Sequence, residues 1–305
     1  MAGHDILVRF WGVRGSHPVP GTTTLRHGGN TSCVEIRTRE HVIILDAGTG
    51  IINLGNKLIE ERRSSKNTPS NITLIFSHTH HDHIQGLPFF SPAYEPDCRL
   101  HIYGPKSLSE NLDHILSKAM SLQYSPIEFN DLTAGIEIHN IMENDVLCFE
   151  GRTGQPELLK RSAVKNISKY STLIRFMRSY GHPRVGVFIF KIEVNGKSVV
   201  YATDTEGYVG TDTRLVRFAQ NSNLLIHDSQ YTPGEYLDVN FPRQGFGHST
   251  YEMAAHVARE AGVKNLVLFH HDPSHDDEKI SEMEARAKAL FPQTTAGAEG
   301  LEFTF

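Results

Sequence analysis

The segment Ser77-His78-Thr79-His80-His81-Asp82-His83 constrains this chain more than any other. It follows an apolar run, Ile72-Thr73-Leu74-Ile75-Phe76, that reads as a buried strand. A strand that ends in His-x-His-x-Asp-His presents imidazoles and a carboxylate at one sheet edge. These are borderline ligands suited to zinc, iron and manganese. His78 and His80 can converge on one ion, while Asp82 and His83 lie just past the turn and can face a second. A merely solvated His-rich loop would need neither the preceding strand nor the spaced Asp.

The rest of the composition narrows the class. A chain of 305 residues can bury a large core without disulfides. Its formal charge of −5 disfavours a broadly basic nucleic-acid binder, though not a local basic groove. Cys33, Cys98 and Cys148 have neither metal-ligand spacing nor a disulfide framework, which suits a reducing cytoplasm. No basic leader and no apolar run of membrane-spanning length is expected.

Short apolar strands alternate with amphipathic helices. Strands are predicted over Ile6–Phe10, Cys33–Arg37, Val42–Leu45, Ile72–Phe76 and Leu100–Tyr103, with helices over Gly50–Arg63 and Ser107–Leu122. Residues 64–70 read as a polar connector. Ile136–His139 and Asp145–Phe149 are candidates to pair with each other. Val187–Val194 and Lys197–Ala202 flank Asn195-Gly196, a strong hairpin signal. Leu224–Ile226 and Leu266–Phe269 are short buried strands. Ser249-Thr250-Tyr251-Glu252 reads as a capping box that opens a helix running to Ala261, with Gly262 as its stop. Asp277–Leu290 is the last helix. Metal-type residues sit at strand ends in both halves, which suggests one domain of two βα layers with a site on their shared edge.

Residues 157–184 form a cationic segment: Lys160, Arg161, Lys165, Lys169, Arg175, Arg178 and Arg184 face only Glu157. It reads as a solvated helical insertion that packs on the domain or a partner, or else as a flap over an anionic substrate.

Three later positions match the first cluster in type. His182 lies in Gly181-His182-Pro183, and Asp204 follows the second hairpin strand. Val267-Leu268-Phe269-His270-His271 again ends an apolar strand in histidine. His270 is the first candidate and His271 its rival, because a one-residue shift exchanges faces. In this order the residues resemble the metallo-β-lactamase superfamily. The resemblance implies an α/β fold, the αββα sandwich, as one domain over 1–305 with a basic insertion at about 150–184. It implies that His78, His80 and His182 hold one ion, that Asp82, His83 and His270 hold the other, and that Asp204 bridges them. Asp46, in Leu45-Asp46-Ala47-Gly48-Thr49-Gly50, is then either a support for the histidine loop or a simple turn residue.

Two further segments resemble the branch that contains RNase Z and the cyclic-phosphate phosphodiesterases. Leu224-Leu225-Ile226-His227-Asp228-Ser229-Gln230 matches its His-Glu-Ala-Thr segment with Asp in place of Glu, and Gly247-His248-Ser249-Thr250 matches its His-Ser-Thr segment. This implies that Asp228 supports His248 near the leaving group, with Asp82 the third catalytic residue. His248 also precedes a helix N-terminus, where backbone N–H groups favour an anion. RNase Z carries a tRNA-gripping arm between the positions of His182 and Asp204, and here that interval holds only the Asn195-Gly196 hairpin. Two loops at the front, Phe10–Pro18 and Arg26–Ser32, offer Arg14, His17, Arg26 and His27 as substrate contacts.

The expectation is a dinuclear metal-dependent hydrolase, a phosphodiesterase that cleaves a small anionic phosphodiester such as a cyclic nucleotide with metal-activated hydroxide. The cofactors implied are two divalent ions, Zn2+ first and Mn2+ or Fe2+ next. The alternatives are an RNase Z-like RNA 3′-processing endonuclease, a lactonase or thioesterase, and a non-catalytic cyclic-nucleotide-binding module. RNA is the second partner after the small phosphodiester, no membrane is expected, and the resemblance makes a homodimer plausible in the cytoplasm.

Overall fold

The computed structural model describes residues 5–39, 41–64, 70–107, 109–151, 155–164, 170–183, 186–207 and 210–305. In chain order the first half runs β1 (Ile6–Gly12), β2 (Cys33–Thr38), β3 (Val42–Leu45), α1 (Gly50–Ser64), β4 (Asn71–Ile75), α2 (His81–Ile84), β5 (Arg99–Pro105), α3 (Leu112–Ala119) and β6 (Gly135–Ile141). The second runs β7 (Asp145–Phe149), β8 (Glu157–Lys160), β9 (Thr172–Ser179), β10 (Val187–Val194), β11 (Lys197–Ala202), α4 (Thr213–Ala219), β12 (Leu224–Asp228), α5 (Pro233–Tyr236), α6 (Tyr251–Ala261), β13 (Leu266–Phe269), α7 (Asp277–Leu290), β14 (Thr294–Ala296) and β15 (Glu302–Thr304).

Two sheets form. One has the order β15-β1-β2-β3-β4-β5-β6, the other β14-β13-β12-β11-β10-β9-β7-β8. Their facing sides share a core of Val8, Phe10, Ile36, Phe190, Tyr201 and Phe269. The outer side of the first sheet packs on α1 and α3 through Ile44, Leu54, Leu74 and Leu116. The outer side of the second packs on α4, α6 and α7 through Val200, Leu215, Ala258 and Met283. The layers are therefore αββα, as expected. Strands covered on both faces read as unbroken apolar runs, and all four residues of β3 and of β13 are buried.

β3, β4 and β5 are parallel, and so are β11, β12 and β13. Their C-terminal ends open on one edge, the usual place for a site in a parallel sheet. The β10–β11 hairpin turns through Asn195 and Gly196, both with positive φ (47° and 76°), as an Asn-Gly turn requires.

Several sequence expectations need correction. The strands at 136–139 and 145–149 do not pair. β6 lies on β5 in the first sheet, whereas β7 lies between β8 and β9 in the second, so the chain changes sheets between them. The helix expected over Ser107–Leu122 is confined to Leu112–Ala119, because the Ser107 hydroxyl accepts from the amides of Ser109 and Glu110 and holds a turn. The N-cap of α6 is Thr250, which accepts from Met253 N–H, while Ser249 turns its hydroxyl to the Thr205 carbonyl. Where it is described, the basic segment is mostly strand, with a single 3-10 turn at Arg161–Ala163, and not the helical insertion expected. Thr172–Ser179 is an inner strand whose Leu173, Ile174, Phe176 and Met177 are buried, and Arg175 pairs with Glu193 at 2.6 Å. Lys165, Lys169, Arg184 and most of the 64–70 connector lie outside the described residues.

The short α5 is capped reciprocally, with Thr232 accepting from Glu235 N–H and Glu235 from Thr232 N–H. Glu235 also accepts from His275 Nε2 at 2.8 Å. Burial raises the Glu235 pKa, but the His275 bond and the Thr232 amide outweigh it and bring the group down to about 2 from an ordinary 4.5. A depressed carboxyl pKa stabilises the fold above the unfolded value, and that contribution is lost as pH falls through the folded one. Glu235→Gln is expected to flatten the loss of stability between pH 4.5 and about 2, measured by urea titration at several pH values. At the hairpin, Gly196→Ala is expected to cost about 1–2 kcal/mol because φ is positive there, seen as a lower urea midpoint with an unchanged slope.

Candidate metal centre

Most functional side chains hang from the C-terminal end of a strand, Asp46 from that of β3 among them, while His248 precedes α6. β4 delivers His78 and, through α2, Asp82 and His83. β11 delivers Asp204, β12 Asp228 and β13 His270. The turn after a strand end must swing its side chain over the sheet edge, and at three of these positions the backbone does so in the left-handed region. Asp46 has φ 62°, Asp204 φ 50° and His270 φ 61°. Asp and His tolerate this region better than most residues, and such strain concentrates at functional sites.

Two clusters result. Donor atoms of His78, His80 and His182 lie within 4.8 Å of one another, and so do those of Asp82, His83, Asp204 and His270. Asp204 sits between them: Oδ1 is 3.7 Å from His78 Nε2 and 3.3 Å from His270 Nε2, and Oδ2 is 3.2 Å from His83 Nε2. His182 Nε2 and His80 Nδ1 face each other at 2.9 Å.

The tautomers decide whether this arrangement fits metal. Four histidines each commit Nδ1–H to an outer acceptor: His78 to Ser77 Oγ (3.1 Å), His83 to Asp46 Oδ2 (2.8 Å), His182 to the Gly247 carbonyl (3.3 Å) and His270 to Gln230 Oε1 (3.0 Å). That leaves the Nε2 lone pairs to converge, which is how metal-binding imidazoles are held. His78 Nε2 and His83 Nε2 are buried without a hydrogen-bond partner, an arrangement that costs free energy unless something else engages them. Burial, chiefly, lowers the pKa of His78 and His80 and takes His182 to about 4, so these rings are neutral. At His270, burial works downward but Asp204, Asp82 and Asp228 overcome it and raise the pKa to about 9, so that side of the site calls for positive charge. The residues thus fit two divalent cations.

Beside this lies the dyad. His248 Nδ1–H donates to Asp228 Oδ2 at 2.7 Å, and Asp228 Oδ1 accepts from the amides of Gln230 (3.1 Å) and Ser249 (3.0 Å). The His248 ring stacks on His270 with centroids 4.8 Å apart and planes 15° apart. A ring nitrogen of His248 lies within 4.8 Å of donor atoms of His182 and Asp204.

Asp46 proves to be a support for the histidine loop. Its Oδ1 accepts from Ser77 N–H (2.7 Å), and its Oδ2 accepts from Ser77 Oγ (2.8 Å), His83 Nδ1 (2.8 Å) and Tyr201 OH (2.8 Å). His271 points away from the cluster and donates to the Gly297 carbonyl at 3.0 Å, so of the two rivals His270 enters the site.

Two of the four front-loop residues, Arg14 and His27, are corrected because both are buried. Arg14 is fully buried, and its guanidinium donates to the carbonyls of Gly28 (2.8 Å), Asp272 (3.2 Å) and His275 (2.6 Å). Arg26 pairs with Glu278 and His27 with Asp277, both at the start of α7. Arg14 and His27 brace the fold, whereas the Arg26–Glu278 pair lies at the surface. His17 stays exposed on the loop that adjoins the centre: Ser16 N–H donates to Asp82 Oδ2 at 2.8 Å, and a Cβ on Gly15 would fall 2.3 Å from the His270 ring.

Ser77, Tyr201, Gln230 and Glu206 were not anticipated. Only the inward alternation of β11 hinted at Tyr201. Gln230 and Glu206 act through contacts that no spacing encodes. If the Asp46 carboxylate orders this site, Asp46→Ala should lower metal affinity by about 10–100-fold, read by chelator competition. Unchanged affinity would reduce Asp46 to a turn residue.

Comparison with known proteins agrees with this geometry. Residues 41–271 match the family described as the Beta-lactamase superfamily domain. A ribonuclease Z from Picrophilus torridus is 26% identical over 97% of this chain and 94% of its own length. Among solved structures, a diphosphatase of the PhnP family has a TM-score of 0.66 at 15% identity, covering 98% of both chains. Human tRNase Z, short form, has a TM-score of 0.63 at 19% identity, covering 97% of this chain and 98% of its own. A match over most of the chain, on the layers and the histidine loop just described, settles the family: the chain belongs to the beta-lactamase superfamily and has the metallo-β-lactamase fold.

Proposed function

We propose that this chain is a metal-dependent phosphodiesterase that hydrolyses a small phosphodiester, with a cyclic nucleotide as the substrate class. The observation that carries the proposal is the Asp228–His248 dyad, stacked on His270 at the rim of a site built for two cations. A binding module would need no such dyad.

In this reading His78, His80 and His182 would hold one ion and Asp82, His83 and His270 the other, with Asp204 within reach of both and zinc the first choice for imidazole and carboxylate donors. When bound, the ions supply Lewis acidity at the phosphate and an acidified water for attack. The protein residues do the rest. Asp82, held ionised because His83 and His270 outweigh the effect of its burial, accepts a hydrogen bond from the attacking water and so orients it. Asp228 fixes the His248 tautomer by accepting from Nδ1–H, which leaves Nε2 facing the site. His248 would then act as the general acid, giving a proton to the departing alkoxide. Three buried free cysteines fit a cytoplasmic setting. No described helix is long and apolar enough to cross a membrane.

The relative named ribonuclease Z favours a second reading, RNA 3′-end cleavage. Against a gripped tRNA stands the interval between His182 and Asp204, where the described residues form only β10, a two-residue turn and β11. Hydrolysis of bis(p-nitrophenyl) phosphate by metal-quantified protein tests the class, and a panel of cyclic nucleotides and tRNA precursors then separates the substrates. Asp204→Ala is expected to lose metal and turnover together. His248→Ala should keep both metals and lose about 10²–10⁴-fold in kcat. Wild-type kcat in His248→Ala would remove the dyad from the mechanism.

A further inference from the structure

The loop that leads from α5 into His248, residues 237–247, is not used by the mechanism above. It exposes Leu237, Val239, Phe241 and Phe246, with Phe241 57% and Phe246 44% exposed. Single exposed apolar residues mean little, but a cluster on one loop beside a reactive histidine is informative.

The loop is also held rigidly. Glu206, itself buried, accepts from the amides of Gly245 (2.7 Å) and Gly247 (2.9 Å) and from Tyr236 OH (2.6 Å). Phe246 is thus clamped on both sides by one carboxylate. Gly247, at φ 92°, lets the backbone pass so close to His182 that a Cβ would fall 2.4 Å from its Nδ1. The exposed ring therefore sits two residues from His248 on a backbone that rests against the cluster.

A run of aromatic contacts joins the dyad to the surface. The His248 ring meets Tyr231 at 6.0 Å. The Arg243 guanidinium lies 5.7 Å from the Tyr231 ring centre and 4.5 Å from that of Phe241, and Phe241 meets Phe246 at 5.7 Å. A flat, electron-rich ring and an anionic group on one molecule match flat side chains flanking a cation. Four apolar side chains on one loop fall well short of the roughly 20–30 residues a side that a stable protein interface uses.

We infer that the 237–247 loop is a stacking platform for the base of a nucleotide substrate, with Phe246 and Phe241 giving the ring faces and Arg243 lying between them and the dyad. The inference rests on the phosphodiesterase reading and deepens it. Base–aromatic stacking accepts any base, so the platform would favour nucleotides over base-free phosphates without selecting one nucleotide.

The test is calorimetric binding to metal-loaded protein of 5′-AMP and of ribose 5-phosphate, the same probe without its base. Wild type should bind AMP at least about tenfold more tightly. Phe246→Ala should bring the two affinities together, with ribose 5-phosphate unaffected, and Phe246→Trp should keep the preference. Metal content and thermal midpoint confirm that the variants are folded. Equal affinities in wild type, or an AMP preference that survives in both Phe246→Ala and Phe241→Ala, would overturn the platform. So would variants that change only the sedimenting species, which would mark the loop as a self-association surface. Failure here is distinct from failure of the catalytic reading: wild type that cleaves bis(p-nitrophenyl) phosphate without base preference refutes only the platform, and wild type that cleaves no phosphodiester refutes the other.

Discussion

The carboxylate of Asp46 is the interaction on which the rest of the site depends. It is fully buried and gathers four donors: the amide and hydroxyl of Ser77, the ring of His83 and the hydroxyl of Tyr201. Ser77 and His83 belong to the loop after β4 in the first sheet, and Tyr201 belongs to β11 in the second. One side chain therefore fixes the histidine loop and ties the two sheets together at the edge where the cations would sit. A buried carboxylate is costly unless its lone pairs are used, and here both oxygens accept, so the group orders its surroundings rather than opposing them.

From that edge the chemistry divides by environment. On the His78–His182 side burial dominates and keeps the imidazoles neutral. On the His83–His270 side the carboxylates of Asp82 and Asp204 outweigh burial and demand positive charge. Asp204 stands where the two environments meet. The dyad adds a third setting: Asp228 is committed to two backbone amides and to His248, so His248 is oriented by a group that lies outside both cation clusters. The backbone contributes as well, since left-handed turns at Asp46, Asp204 and His270 aim side chains across the sheet edge instead of along the strands.

The parallel strands are buried on both faces and supply rigid starting points. The polar segments that follow them carry the reactive groups. The segment between β12 and α6 has room for α5, the Glu206-anchored glycines and an aromatic loop before it reaches His248.

Much of this was legible in the sequence because it is locally encoded. The His-x-His-x-Asp-His loop, the apolar runs of β3, β4 and β13, the Asn195-Gly196 turn, the Gly262 stop and the bounds of α7 depend on neighbouring residues, and the αββα layers follow from their alternation. The order of ligand-type residues also pointed to Asp204, Asp228, His248 and His270. Tertiary structure decided what local pattern leaves open. It placed β6 and β7 in different sheets, although their segments were candidates to pair, because the chain crosses between layers there. It drew the basic segment's Thr172–Ser179 into a sheet, since its alternating apolar residues gain more from burial than its charges lose at the strand face. It took Arg14 and His27 away from the pocket to brace residues 272–278, where carbonyls and a carboxylate come from positions about 250 distant in the chain. And it separated His270 from His271, because only the left-handed backbone at His270 decides which of two adjacent imidazoles faces the carboxylates.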